Sequence, residues 1–395
     1  MYSHVSPATS LRTTSMPLLP PRRIALLAPR PSTLPLPGIT SMYAILFHKG
    51  VSRIGTAWKR YVTTCLRLRV RARCRADYCP AQLYQHAFST ALCTEASEHP
   101  VLLTEPPLNP PRNREAMTQI MFEQLEVPSL YIAVTAVLSL YISGKETGLV
   151  IDCGHGSTQA VPVYESVVMA HAVQTVPVAG VDVDAELVRL LADKDISGGS
   201  LDCPRDVSAM KQAVWYVVFH ERGFGVHDSH VHSYVAQDFE AERVAADKDG
   251  EPVRRSYTLP DGKAVSVASE RFVASEVLFT PSLCGHDFAP GLGDAAQRAI
   301  TYCDATLRPD LVNNVVLSGG CTMLPGFVDR FTTELQARLA PKQAADVSVP
   351  KLPERRYGAW VGGSILASLP LFDSLCVTNA EYEEQGPSFI HRKCG

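Results

Sequence analysis

Three observations predict an α/β protein organised as two lobes. The chain has 395 residues, more than one hydrophobic core ordinarily serves. Beyond residue 84, short apolar runs of strand length alternate with longer amphipathic stretches, the pattern of sheets covered on their faces by helices. Two of the short runs end in glycine-centred turns, Leu149-Val-Ile-Asp-Cys-Gly-His-Gly-Ser-Thr-Gln159 and Val315-Val-Leu-Ser-Gly-Gly-Cys-Thr-Met-Leu-Pro-Gly326.

The first 83 residues have a different texture. Residues 1–76 hold thirteen Lys or Arg, from Arg12 to Arg75, and no Asp or Glu. Prolines between residues 17 and 37 interrupt any long amphipathic helix. Three readings fit this composition. It could be an organelle-targeting leader, or a segment translated out of frame. It could also be a basic, disordered extension whose Arg67, Arg69, Arg71, Arg73 and Arg75 meet acidic lipid or nucleic acid.

From residue 84 onward each element has a local signal. The apolar stretch from Pro128 to Ser143 places Ala133, Val134, Val137, Leu138 and Tyr141 near helical spacing, and Gly144 follows as a C-terminal cap. Leu149–Cys153 and Ala160–Tyr164 read as strands around a tight turn. Val183–Ala192, Asp206–His220, Ala295–Leu307 and Gly326–Leu339 read as helices. Residues 220–250 are polar and break periodicity, the mark of an inserted surface loop.

Composition also excludes some functions. Taking the leader's 13 basic residues from totals of 37 basic and 40 acidic leaves 24 against 40, a net of −16 over residues 77–395. A body that acidic offers no general nucleic-acid surface, since nothing in it would displace phosphate counterions. No apolar run reaches the roughly 18 residues needed to span a bilayer. The eleven cysteines contain no Cys-x-x-Cys and read as reduced intracellular thiols.

The two turns carry the chemistry. Gly154 and Gly156 let backbone N–H groups close on phosphate oxygens, with Ser157 beside them. Asp152 supplies a hard oxygen of the kind Mg²⁺ prefers while keeping several waters. Taken alone, Asp-x-Gly-x-Gly reads more readily as a hairpin turn. In the second turn Gly319, Gly320, Thr322 and Met323 could approach an adenosine; alone they are a strand-to-helix connection. His220, His227, His230 and His232, with Glu221 and Asp228, have spacings that could bind zinc or nickel, although so polar a loop is more simply solvated.

Longer segments carry a resemblance. Glu98-His-Pro-Val-Leu-Leu-Thr-Glu-Pro-Pro-Leu-Asn-Pro110, Met117-Thr-Gln-Ile-Met-Phe-Glu123, Ala136-Val-Leu-Ser-Leu-Tyr141 and Tyr257-Thr-Leu-Pro-Asp-Gly262 are collinear with segments of actin and the actin-related proteins. Trp360-Val-Gly-Gly-Ser-Ile-Leu-Ala-Ser-Leu369 and Gly386-Pro-Ser-Phe-Ile-His-Arg-Lys-Cys394 complete the set. The resemblance covers residues 84–395 and leaves 1–83 unmatched.

This resemblance implies the two-lobed actin-like ATPase fold, with ATP and Mg²⁺ between the lobes and the small lobe incomplete at its N-terminus. Residues 84–142 and 357–395 would form the small-lobe part. Residues 143–178 and 290–356 would form the inner large lobe, and 179–289 the outer large lobe with its inserted loop. The nucleotide would meet Asp152, Gly154, Gly156, Ser157, Gly180, Lys211, Gly319, Gly320, Thr322, Met323 and Arg356, with Asp152 holding Mg²⁺ through water. Tyr141, Gly144, Glu165, Leu366 and Leu371 would line a groove for a partner's amphipathic helix, or else complete the core.

Departures from the family pattern bear on activity. Thr135 stands where the family has a glutamine that orients the hydrolytic water, and Gln159 where it has a histidine near that water. His155 replaces an aspartate of the phosphate turn, Ser208 an arginine and Gln212 a glutamate. The expectation is therefore a cytoplasmic, cytoskeletal actin-like protein with a partial ATP site, weak or absent hydrolysis, and cytoskeletal proteins or its own copies as partners. Two alternatives stay open: an ATP-hydrolysing, filament-forming actin with a different true beginning, and an adaptor subunit of a larger assembly.

Overall fold

The computed structural model describes residues 22–27, 43–49, 80–192, 233–248, 254–258 and 264–394. In chain order, β1 (Arg22–Leu27), β2 (Tyr43–Lys49) and β3 (Val101–Glu105) precede helix α1 (Pro111–Gln119). Then come β4 (Ser129–Val134), α2 (Thr135–Tyr141), β5 (Gly148–Cys153), β6 (Thr158–Tyr164), β7 (Val167–Val168), β8 (Gln174–Val176) and α3 (Gly180–Ala192). Helix α4 (Phe239–Lys248), the hairpin β9 (Arg255–Thr258) and β10 (Ala264–Val267), α5 (Glu270–Glu276), α6 (Leu292–Tyr302) and α7 (Arg308–Asn313) follow. The chain ends through β11 (Val315–Ser318), α8 (Phe327–Arg338), α9 (Gly358–Ser368), β12 (Val377–Thr378) and α10 (Asn379–Gln385).

The first sheet runs β1-β2-β3-β4-β12. β3 and β4 are parallel, Val101 opposite Leu130 and Glu105 opposite Val134. β2 joins β3 antiparallel, and β1 joins β2 antiparallel. The resemblance led to the expectation of a sheet without its leading strands; instead, two strands from the unmatched leader hold that edge. The physical reason is available in the sequence: an open edge of β3 presents unpaired backbone groups, and Tyr43-Ala-Ile-Leu-Phe47 is rich in strand-favouring residues. The arginine-rich residues 67–75 and the link 28–42 lie outside the described residues.

The second sheet runs β11-β5-β6-β7, with β8 also on β6. β5 and β6 form the hairpin expected from the sequence, Gly148 opposite Val163 and Cys153 opposite Thr158. β11 lies parallel to β5, with Ser318 beside Asp152. Its core gathers Leu149, Ile151, Phe272, Ala296, Phe327, Phe331 and Leu335, all close to fully buried.

Three element assignments differ from the expectations. The stretch 128–143 is a strand followed by a helix, not one helix. Its first half, Ser-Leu-Tyr-Ile-Ala-Val, pairs with β3 along its whole length, and sheet pairing outweighs a short apolar run's ambiguous period. Within 220–250, Phe239–Lys248 is helical without a buried residue. Asp238 accepts the Ala241 N–H at 3.0 Å, and Arg243 pairs with Glu240 at 2.7 Å, so capping and charge pairs hold it. The helix expected over 295–307 breaks at Cys303, where the Asp304 carboxylate takes the Thr306 N–H and hydroxyl at 2.8 and 2.7 Å before α7 begins. The candidate helix 206–220 lies outside the described residues, and among those described no helix is long and apolar enough to cross a membrane.

Helix α2 ties the two sheets together. It continues directly from β4, yet Ala136, Val137 and Leu140 pack against Val150, Val161, Val163 and Val316 of the second sheet. Its other side receives Leu138 into a cluster with Leu366, Ala367 and Phe372. Helix α9 lies directly on α2, and Gly362 makes that approach: a Cβ there would stand 1.6 Å from the Leu138 carbonyl oxygen. We predict that Gly362→Ala lowers stability by about 1–3 kcal/mol or more, since one backbone must retreat from the other. Urea unfolding of the two proteins tests this, and an unchanged midpoint would refute the contact.

Candidate functional site

The turn after β5 is built so that its carbonyl groups are used inward. The Gly154 N–H donates to the Ser157 carbonyl at 2.9 Å and closes the turn. The Gly154 carbonyl accepts the Gly180 N–H at 3.0 Å and the Cys321 thiol at 3.2 Å. The His155 carbonyl accepts the Val181 N–H at 2.7 Å. These bonds satisfy the first amides of α3, which have no partner inside their own helix. The amides of Gly156 and Ser157 make no hydrogen bond within the described residues. Two adjacent unbonded N–H groups beside engaged carbonyls have the makings of an anion cradle. Gly180 is required for the packing, because a Cβ there would come within 2.8 Å of the Cys321 sulfur and 3.0 Å of the His155 Cα.

Asp152 lies at the centre of a row across three strands, opposite Gln159 on β6 and Ser318 on β11. Among the described residues its carboxyl makes no hydrogen bond or ion pair. The residue keeps some exposed surface, but its carboxyl is shielded, and burial pushes it up to about 6. A desolvated carboxylate without a partner is costly in an empty protein. It suits a cation that arrives with water and ligand oxygens, as Mg²⁺ does. No group of three or more His, Cys, Asp or Glu able to hold a metal occurs among the described residues.

The second turn closes directly onto the first. Gly319 has φ +91°, and a Cβ there would meet the Cys153 carbonyl oxygen at 2.4 Å and Asp152 Oδ1 at 2.8 Å. Only glycine permits both the backbone conformation and the approach. The Gly319 N–H donates to the Arg355 carbonyl at 3.1 Å, and the Thr322 hydroxyl donates to the Gly319 carbonyl at 2.7 Å. Arg355 in turn donates to the Thr322 carbonyl from Nε and Nη2 and to the Leu352 carbonyl from Nη1. Gly320 and Met323 lie in the same short helical turn. Arg356 sits 5.5 Å above the Tyr357 ring, its guanidinium pKa lowered by burial.

The sequence reading thus brings Asp152, Gly154, Gly156, Ser157, Gly180, Gly319, Gly320, Thr322 and Met323 to two adjoining turns, with Arg356 on the segment that follows Arg355. Lys211, Ser208, Gln212 and the four-histidine segment lie outside the described residues. Two contributors were missed. Cys321 bonds the first turn from a position 167 residues away, and Arg355 braces the second; neither carries a local signal. Cys153 is buried beside Cys321, and their mutual hydrogen bond heads the causes that push its thiol well up.

Thr135 begins α2 almost fully buried, its carbonyl accepting from the Ser139 hydroxyl at 2.9 Å. Ser139 and Ser318 share a hydroxyl contact at 3.0 Å, so α2 reaches the floor of the site. Gln159 is partly exposed beside Asp152.

The proposed groove residues divide. Tyr141 packs against both the α9 cluster and the valines of the second sheet. Leu366 is buried in the core, whereas Leu371 is 70% exposed, with Ile365 and Leu369 also exposed. Gly144 takes φ +69° at the end of α2, as a C-terminal cap does. Glu165 occupies a left-handed position in the β6–β7 turn, and its N–H donates to the Thr147 hydroxyl at 3.0 Å.

Two mixed sheets sharing a helix, with a glycine turn after one strand and a second glycine turn on its parallel neighbour, define an α/β protein. Comparison with protein families matches residues 79–395 to actin, and the chain belongs to the actin family.

Burial of Asp152 gives a signed prediction. Its carboxyl titrates higher in the fold than in the unfolded chain, so the folded state binds this proton more tightly. The ionised form therefore costs stability above pH about 6, and the cost disappears as pH falls toward about 4. Without divalent cations, Asp152→Asn should stabilise the protein by about 1–3 kcal/mol near neutral pH and by much less at low pH. Chemical unfolding across that range measures it; identical pH dependence in both proteins would exclude a strained carboxylate.

Proposed function

We propose that this actin-family chain binds ATP with Mg²⁺ between two α/β lobes and serves a structural or regulatory cytoskeletal role in the cytoplasm, with weak or absent hydrolysis. The observation that carries this reading is the pairing of the Gly156 and Ser157 amides, which make no hydrogen bond among the described residues, with the desolvated Asp152 at the strand end that leads into the same turn.

In this reading the Gly156 and Ser157 amides hold the terminal phosphates, as donors that need no reorganisation. Asp152 would hold Mg²⁺ through water, and the bound ion would supply neutralisation of phosphate oxygens. Gly180 lets the turn seat against α3, while Gly319, Gly320, Thr322 and Met323 face the adenosine side with Arg356 near the base. Lys211 would join them from the segment that follows α3.

Hydrolysis requires a water held in line with the terminal phosphate. Thr135 is short and buried, and Gln159 cannot act as a base as an imidazole can. Exposed Ile365, Leu369 and Leu371, near the half-buried Tyr141 seam, offer apolar anchors to an amphipathic partner helix, which supports a role exercised through partners.

Saturating MgATP should raise unfolding stability by about 2–3 kcal/mol at a hundredfold excess over Kd, and Asp152→Asn should remove most of that gain. Phosphate release by the wild type should be barely above background, while the double substitution Thr135→Gln with Gln159→His should raise it on the order of tenfold to hundredfold. Absence of any nucleotide-linked stabilisation would defeat the binding reading. Brisk phosphate release by the unmodified chain would defeat the weak-hydrolysis reading.

A further inference from the structure

Two thiols meet beneath the first turn, and the nucleotide reading gives them no task. Cys153 is the last residue of β5, fully buried in the core cluster that also holds Leu149, Ile151 and Cys321. Cys321 belongs to the short helical turn after β11 and is 3% exposed. The two thiols are hydrogen-bonded to one another.

Each thiol is also held from a second side. The Cys153 sulfur contacts the hydroxyl of Thr158, its partner on β6, at 3.4 Å. The Cys321 thiol donates to the Gly154 carbonyl at 3.2 Å, the same carbonyl that takes the Gly180 N–H at 3.0 Å. The main chains behind the sulfurs are as close. A Cβ on Gly319 would meet the Cys153 carbonyl oxygen at 2.4 Å, and one on Gly180 would meet the Cys321 sulfur at 2.8 Å. Sulfurs carried on backbones already in contact can be joined by side-chain rotation, without moving either strand.

We propose that Cys153 and Cys321 are a reversible redox pair, joined as a disulfide by hydrogen peroxide. In the first step the Cys321 sulfur takes one peroxide oxygen; the O–O bond breaks, water leaves, and Cys321 becomes a sulfenic acid. The Cys153 sulfur then attacks the Cys321 sulfur; the S–S bond forms, the S–O bond breaks, and a second water leaves with the Cys153 proton. The two thiols lose two electrons and the peroxide gains them. A small dithiol returns the pair by exchange. Where thiols are ordinarily kept reduced, a disulfide of this kind is usually transient and redox-sensing. Oxidation also alters the turn. A disulfide has no proton to donate, so the Gly154 carbonyl loses its bond from Cys321 and the first turn loses one of its fixings. Weaker anion binding at the Gly156 and Ser157 amides follows. That consequence rests on the nucleotide reading above, whereas the pair itself does not.

Treating the full chain with hydrogen peroxide, alkylating the remaining thiols in denaturant and mapping peptides by mass spectrometry tests the pair. The expected product is a linked Cys153–Cys321 peptide that dithiothreitol removes. The oxidised protein should bind MgATP about three- to tenfold more weakly than the reduced one, the range set by one lost hydrogen bond, and should recover on reduction. In Cys153→Ser, oxidation should stop at the Cys321 sulfenic acid, which dimedone captures. In Cys321→Ser, peroxide should leave MgATP affinity where it stood before treatment. Unfolding midpoints of the reduced proteins identify a misfolded variant, in which case wild type and the other variant decide. Both thiols recovered unlinked under conditions that oxidise the exposed Cys93 would overturn the proposal, as would Cys321 linked to a different cysteine. A linked peptide with unchanged MgATP affinity would overturn the control of the turn. Reduced protein that binds no MgATP would remove the nucleotide reading, while the peptide map would still decide the pair.

Discussion

The site exists because β11 can press its turn against the end of β5 with no side chain between them. Gly319 stands where a Cβ would collide with the Cys153 carbonyl and the Asp152 carboxyl. That contact sets Ser318 beside Asp152, positions Cys321 to reach Gly154, and shields the Asp152 carboxyl from water. Remove the clearance and three separate features are lost together: the thiol's bond to the first turn, the desolvation of the carboxylate, and the brace that Arg355 gives to Thr322. The energetic cost of an unpartnered buried carboxylate is tolerated only because the surrounding packing is well determined, a common condition where binding chemistry is stored.

Backbone hydrogen bonding then gives the first turn its polarity. Two consecutive carbonyls face α3 and are satisfied by that helix's leading amides, while the Gly156 and Ser157 N–H groups make no hydrogen bond among the described residues. This is an economical arrangement. The helix gains acceptors for donors that have no partner inside it, and the turn gains a donor face, from the same two hydrogen bonds.

Much of this was legible in the chain. The hairpin around residue 154 could be read because glycines and β-branched residues give a strong local signal, and β5, β6, α3 and α8 follow the expected ranges closely. The β4–α2 junction was not, because Leu130 to Tyr141 is apolar throughout and a short apolar run has no distinctive period. Only pairing with β3 decides that its first half is extended. Helix α4 was hidden for the opposite reason: it buries nothing, so its polar sequence resembled a loop. Cys321 and Arg355 act across distances in sequence that no local pattern records. The leader's contribution to the first sheet escaped notice because its charge composition drew attention away from the two apolar runs within it.

The junction of α9 with α2 has a mechanical side. Gly362 brings one main chain directly against another, and at that point no side chain stands between them to rearrange and absorb a displacement. The Ser139–Ser318 hydroxyl pair continues this line of contact from α2 to β11, next to Asp152, so the backbone approach of α9 and the glycine turns share one connected framework.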